Sequence, residues 1–152
     1  MALSEMPITL HDSKALILGY GRIGKVLAKV LDAFGADVGV CARRFESLAW
    51  IHTMGFKGIK LCSLADNINK YDVIFNTIPS MVLDKQILRN INKKSLIIDL
   101  ASKPGGVDFD TARQFGLHII WALSLPGKVA PVTSGKIIKN TVLNILTEMG
   151  VI

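Results

Sequence analysis

The feature that most restricts this chain is a set of short segments that are apolar almost without interruption. Lys14–Gly19 (Lys-Ala-Leu-Ile-Leu-Gly), Asp72–Asn76 (Asp-Val-Ile-Phe-Asn) and Ser95–Leu100 (Ser-Leu-Ile-Ile-Asp-Leu) show no alternation of apolar and polar residues. A strand wetted on one face alternates, whereas a strand without alternation is covered on both faces, as in a parallel sheet flanked by helices. Val38–Cys41, Gly58–Leu61 and His118–Ala122 are strand-sized as well, which gives six expected strands. Between them the period changes. Ile23, Val26, Leu27, Val30, Leu31 and Phe34 recur at helical spacing until Gly35 stops the helix, and Glu46–Met54 forms a second helix ended by Gly55. Ser63 is an expected N-cap for a short helix, and Leu83–Ile91 and Asp110–Phe115 are further helices. Lys103–Gly106 is a loop on turn chemistry, and Thr133–Met149 closes the chain as an amphipathic helix.

Six strand–helix units without repeats match a doubly wound α/β domain, with expected strand order 3-2-1-4-5-6 of the Rossmann type. Periodicity alone leaves a flavodoxin-like domain open. The first turn separates the two. Gly19-Tyr20-Gly21-Arg22-Ile23-Gly24 is a GxGxxG placed after a strand and opening a helix. In that context the first glycine permits the turn and the second lets main chain approach a pyrophosphate. The third lets helix and strand pack, while the helix start offers amide donors to phosphate. About twenty residues further on, an NAD-selective site carries an acid for the ribose hydroxyls. Here the second strand runs into Cys41-Ala42-Arg43-Arg44, with no acid and two guanidinium groups. Arginine pairs with a 2′-phosphate that a carboxylate would repel, so NADP(H) is the expected cofactor and NAD the less favoured one.

In such sheets ligands sit beyond the carboxyl ends of the strands. Thr77, Ile78 and Pro79 follow the fourth strand and are expected to pack on the nicotinamide ribose. Leu100, Ala101 and Ser102 follow the fifth and complete the expected cofactor set, and Ser102 and Lys103 face substrate or nicotinamide amide. Ser124–Pro131, with Lys128, follows the sixth. His11, His52 and His118 have no second ligand or acid at useful spacing, which favours structural or surface roles. Trp50 and Trp121 read as core or interface residues, Cys41 as a small packing residue, and Asp99 as an acceptor that orders the loop after it. No metal constellation is expected, because neither Cys41 nor Cys62 has a local partner at ligand spacing.

Bulk properties restrict the function further. With 152 residues, 50% of them hydrophobic and 20% charged, the chain is one domain and not disordered. Its longest apolar runs fall well short of the roughly 18 residues of a membrane span. No charged region followed by an apolar run marks a secretory signal. Two cysteines without a CxxC pair fit a reducing cytosol. The net charge of +6 is scattered, with only Arg43–Arg44 and Lys93–Lys94 adjacent, so nucleic acid is not the expected partner.

The later loops carry a likeness. Ile98-Asp-Leu-Ala-Ser-Lys-Pro-Gly-Gly106 and Leu125-Pro-Gly-Lys-Val-Ala-Pro131, with the helix start Ser134-Gly-Lys-Ile-Ile138, resemble the A-type subunits of dipicolinate synthase from spore-forming bacteria. Leu18–Gly24 and Asn76–Pro79 sit at matching positions, and the likeness covers nearly the whole chain. It implies a cytoplasmic oxidoreductase that works with the B-type subunit of dipicolinate synthase during sporulation. The pair would oxidise a dihydrodipicolinate-type precursor to dipicolinate, with NADP⁺ as acceptor. The family also carries a substrate half ahead of its nucleotide half. Residues 1–12 are therefore expected to be a connector to that missing N-terminal half, 13–152 the cofactor domain, and the domain alone inactive. Ser102, Lys103 and Lys128 are then the expected neighbours of the substrate carboxylates, and catalytic groups in the other half are unassigned. A homo-oligomer is compatible with all of this. Two other functions fit the same residues: the cofactor domain of a hydroxyacid or shikimate-type dehydrogenase, and an NADP(H)-sensing module without turnover. A substrate screen separates the first, and cofactor binding without turnover in the presence of every partner marks the second.

Overall fold

The structure is a computed structural model that describes residues 9–151. Of the expected connector, residues 1–8 lie outside the described residues. The chain divides into two compact units, the first ending at Trp121 and the second beginning at Ala122.

The first unit holds six strands, β1 (Lys14–Leu18), β2 (Asp37–Ala42), β3 (Lys57–Lys60), β4 (Val73–Asn76), β5 (Leu96–Asp99) and β6 (His118–Trp121). They form one sheet in the order β3-β2-β1-β4-β5-β6, parallel at every pairing. This is the doubly wound Rossmann arrangement expected from the unalternating strands. β1 lies at its centre with Ala15, Leu16, Ile17 and Leu18 fully buried, and Ile74 of β4 and Ile97 of β5 are equally inaccessible. The chain leaves β1 toward β2 on one side and returns through β4 on the other, and a crevice opens where those directions diverge.

Helices α1 (Arg22–Ala33), α2 (Phe45–Thr53), α3 (Leu64–Asn67), α4 (Lys85–Leu88) and α5 (Phe109–Gln114) accompany the sheet. Most of the apolar stripe of α1 points away from the core. Ile23, Val26, Val30 and Phe34 are 44–63% exposed, and the buried positions are Gly24, Ala28 and Leu31. The reason is proximity. A side chain at Gly24 would collide with the carbonyl of Gly19, so the inner face of α1 is small at Gly24 and Ala28, where it approaches β1, and carries Leu31 further along. Trp50 is also exposed and joins no core, whereas Trp121, 38% exposed, leans on Phe109 with ring centroids 4.8 Å apart.

Three boundaries differ from expectation, each for a local reason. α4 covers only Lys85–Leu88, because Leu83 is drawn into a strand-like bridge with Val107. Asp84 starts the helix instead, its carboxylate accepting from the amides of Gln86 and Ile87. Ser63 stands before α3, but its hydroxyl caps nothing and lies 3.9 Å from the Cys62 sulfur. Finally, Ser124–Pro131 is not a loop throughout: the second unit begins with a helix, α6 (Leu125–Val129), followed by α7 (Pro131–Glu148). Proline near a helix start lacks only an N–H that the first turn leaves unused, which hides such a helix from composition. No residue of α7 is buried.

Replacing Ile74 by Ala is expected to lower unfolding free energy by about 2–5 kcal/mol, the usual cost of emptying a filled core site, measured by urea titration. A second expectation concerns acid. Asp108 caps α5, and the Thr111 hydroxyl and then its amide hold that carboxyl below its ordinary value of 3.8. Its stabilising contribution is therefore present above that ordinary value and lost as pH falls through the lowered one. Asp108→Asn should flatten the acid limb of a thermal-midpoint profile and leave its neutral plateau shape unchanged.

Candidate functional site

The crevice at the divergence of β1 and β4 is a cleft of about 730 Å³. Gly19, Tyr20 and Gly21 form its floor between β1 and α1. Gly19 has φ +101°, its amide donates to the Cys41 carbonyl at 2.9 Å, and a Cβ there would press on the Thr77 hydroxyl oxygen at 2.6 Å. Gly21 is different: a Cβ built on it meets nothing within 4 Å, so its missing side chain leaves open space. Gly21 is also the N-cap of α1, where no side chain accepts from the helix amides and the first turn has no acid. The amides of Arg22, Ile23 and Gly24 have no acceptor within the helix by its geometry, and they add to the positive end of its dipole. An uncapped helix start beside an open glycine fits a phosphate group.

One flank is the end of β2. Cys41 and Ala42 are buried, and Arg43 and Arg44 are exposed at the rim. Among the described residues the ion pairs are His11–Asp12 and Asp110–Arg113, so neither Arg43 nor Arg44 is matched to a carboxylate. Among the described residues, no Asp or Glu lines the cleft. Burial pushes the Cys41 thiol up to about 12, with a smaller contribution from Cys62, which with its zero exposure suits Cys41 to packing. The other flank follows β4. The Thr77 amide and hydroxyl both donate to the Leu18 carbonyl, at 3.0 and 2.9 Å, which fastens this wall to the central strand. Ile78 and Pro79 continue it.

Of the expected cofactor residues, Gly19–Gly21, Cys41–Arg44 and Thr77–Pro79 thus come together around one cleft. Arg22, Ile23 and Gly24 are not among its lining residues; they form the first turn of α1 beside it in sequence. Leu100, Ala101 and Ser102 are not among its lining residues; Ala101 is buried, and Ser102 and Lys103 are exposed on the next loop, where Lys103–Pro104 is cis. Asp99 orders that loop as expected, accepting from the amides of Ala101 and Gly106 at 3.0 and 3.1 Å. Lys128 belongs to α6 in the second unit. The sequence reading missed Ser47, Leu61 and the run Ser80–Val82, all of which line the cleft. Ser47 had a signal: it sits one turn inside a helix whose N-cap is Arg44, so it returns toward that end of β2. Leu61 and Met81 had none, since their place depends on where the neighbouring strands stop. Among the described residues no cluster of three metal-binding side chains occurs, and no helix is long and apolar enough to cross a membrane.

Fold and cleft together define a dinucleotide-binding domain. Residues 2–103 match the family of D-isomer specific 2-hydroxyacid dehydrogenase NAD-binding domains, and the chain belongs to that family, a family of oxidoreductase domains that hold a nicotinamide cofactor. Over 149 residues it is 40% identical to the A-type subunit of dipicolinate synthase from Bacillus subtilis, covering 98% of this chain and 50% of that protein. The crystal structure of the B. subtilis dipicolinate synthase A-type subunit superposes with a TM-score of 0.95 at 39% identity, covering 99% of this chain and 50% of the other. That of the corresponding dipicolinate synthase subunit from Bacillus halodurans gives 0.93 at 37% identity, over 96% and 50%. The chain spans about half the length of the relatives it matches over nearly its whole extent.

The two glycines of the floor make opposite expectations. Gly21→Ala should weaken nucleotide binding at least about tenfold, by placing a methyl where phosphate approaches, with the unfolding midpoint unchanged. Gly24→Ala should lower that midpoint, because its methyl meets the backbone of Gly19. Calorimetric titration and thermal melts on both variants check the contrast.

Proposed function

We propose that this chain is the cofactor-binding domain of an oxidoreductase of the dipicolinate synthase A-type subunit and that it prefers NADP(H) to NAD(H). The observation that carries the preference is the end of β2, where, among the described residues, Arg43 and Arg44 lie at the cleft rim without carboxylate partners and no acid lines the cleft. A 2′-phosphate satisfies two guanidinium groups, and a ribose diol does not. Ser47, half-buried on the same flank, adds a hydroxyl donor.

In this reading α1 holds the pyrophosphate on its first amides, Arg43 and Arg44 hold the adenosine phosphate, and Thr77–Pro79 shape the wall beside the nicotinamide ribose. The bound nicotinamide supplies hydride acceptance. The protein binds, orients and shields it. Substrate is a cyclic dicarboxylate of the dihydrodipicolinate type, approached by Ser102 and Lys103. Residues 1–12 are a connector to a substrate half, and residues 13–152 are the cofactor domain. The B-type subunit of dipicolinate synthase is the second partner, all in the reducing cytosol of a sporulating cell. Likeness to the A-type subunit over 98% of the chain, at half that protein's length, supports this division.

The family match favours a second substrate class, a D-2-hydroxy acid. Turnover of hydroxy acids and of dihydrodipicolinate by the complete enzyme discriminates the two.

The cofactor preference has its own test. Arg43→Ala with Arg44→Ala is expected to weaken NADPH binding by about a hundredfold, two lost charge-assisted contacts, and NADH binding by less than about threefold. Equal losses for the two nucleotides in calorimetry would remove the assignment.

A further inference from the structure

Behind the cleft wall, not in it, lies a buried polar pair. Asn76 ends β4 and Asp99 ends β5, the two are register partners, and both have zero exposure. Asn76 Nδ2 donates to Asp99 Oδ1 at 2.9 Å and to the Ile78 carbonyl at 3.0 Å, while its Oδ1 accepts from the Ile78 amide at 3.1 Å. Asp99 accepts also from the amides of Ala101 and Gly106. The Gly106 carbonyl in turn accepts from the amides of Val82 and Leu83, at 3.0 and 2.9 Å. A carboxylate buried without a cation is costly, and an apolar pair would close the two strands just as well. What an apolar pair would not do is hold both loops.

We propose that Asn76 and Asp99 are positioning residues that lock the cleft wall, Thr77–Val82, to the neighbouring loop, Ala101–Gly106, so that the two move as one body. The ligand side of this inference rests on the cofactor reading above; its mechanical side does not. Asn76 sets the Ile78 peptide, and hence the wall that the nucleotide meets. Asp99 sets the loop that presents Ser102 and Lys103. The shared hydrogen bond makes the placement of one loop a condition on the other, which couples a ligand on the wall to a ligand on the loop. Gly106 supports the same reading from an independent direction. A Cβ there would run into the Asn76 amide nitrogen and the Ile78 carbonyl oxygen, and would reach the Ser80 carbonyl oxygen at 2.8 Å.

Two variants of the full chain test it, Asn76→Asp and Gly106→Ala. The first sets two carboxyl groups face to face and removes the donor to the Ile78 carbonyl. The second wedges the loops apart by pressing a methyl on the Asn76 amide and the Ile78 carbonyl, with both side chains of the pair kept. Amide hydrogen exchange without ligand should rise about tenfold in both 77–82 and 101–106 for each variant, with β1 amides unchanged. The NADPH dissociation constant should rise about tenfold in both. Loosening of one segment only, or unchanged affinity in variants of a wild type that binds NADPH, would overturn the inference. If the wild type bound no nicotinamide nucleotide, the cofactor reading would fall, and the exchange data alone would decide whether the loops are locked together.

Discussion

The close approach of α1 to β1 is the constraint on which the rest depends. Because Gly24 has no side chain to meet the Gly19 carbonyl, the helix starts directly over the end of the central strand. Its first amides, which no side chain caps, then follow directly on Gly21, a residue of the crevice lining. Every other part of the cleft is referred to that origin. The Gly19 amide is tied to the end of β2, the Thr77 amide and hydroxyl are tied to the end of β1, and the two flanks take their separation from those bonds. The same proximity explains why the inner face of α1 begins with small residues, Gly24 and Ala28, while valines and a phenylalanine face outward.

Much of this was legible in the sequence because it rests on periodicity and on glycine spacing. Strands without alternation implied a parallel sheet, and the glycine turn located its phosphate end. What escaped was decided at a distance. The length of α4 could not be read from Leu83–Ile91, because Leu83 is claimed by Val107, a residue beyond β5. The stripe on α1 looked like a core face, since sequence shows that residues share a side of a helix but not how close its neighbour stands. Leu61, Met81 and Val82 reach the cleft through loop paths that no local pattern encodes.

Polarity is distributed unevenly through the first unit. The sheet interior is apolar except at its carboxyl edge, where Asn76 and Asp99 carry hydrogen bonds outward into the loops. Ser95 does the corresponding work at the other end of β5, its hydroxyl donating to the Tyr71 carbonyl at 2.7 Å. The contrast is one of connection: separate side-chain bonds, such as this one and the Lys14 amide donating to the Asp72 carboxylate at 2.8 Å, close the amino end, while five linked side-chain contacts organise the edge where ligands sit. Buried polar groups concentrate where geometry has to be unique, not merely compact.

The two cysteines differ in a way that has a practical consequence. Cys41 is sealed under the cleft with its proton firmly retained, and Cys62 is exposed one residue beyond Leu61, a lining residue. An alkylating dye at neutral pH therefore meets two chemically unequal sulfurs and attaches to one. The chain carries an exposed thiol next in sequence to a residue of its own crevice, an anchor for a fluorescent reporter without any engineered residue.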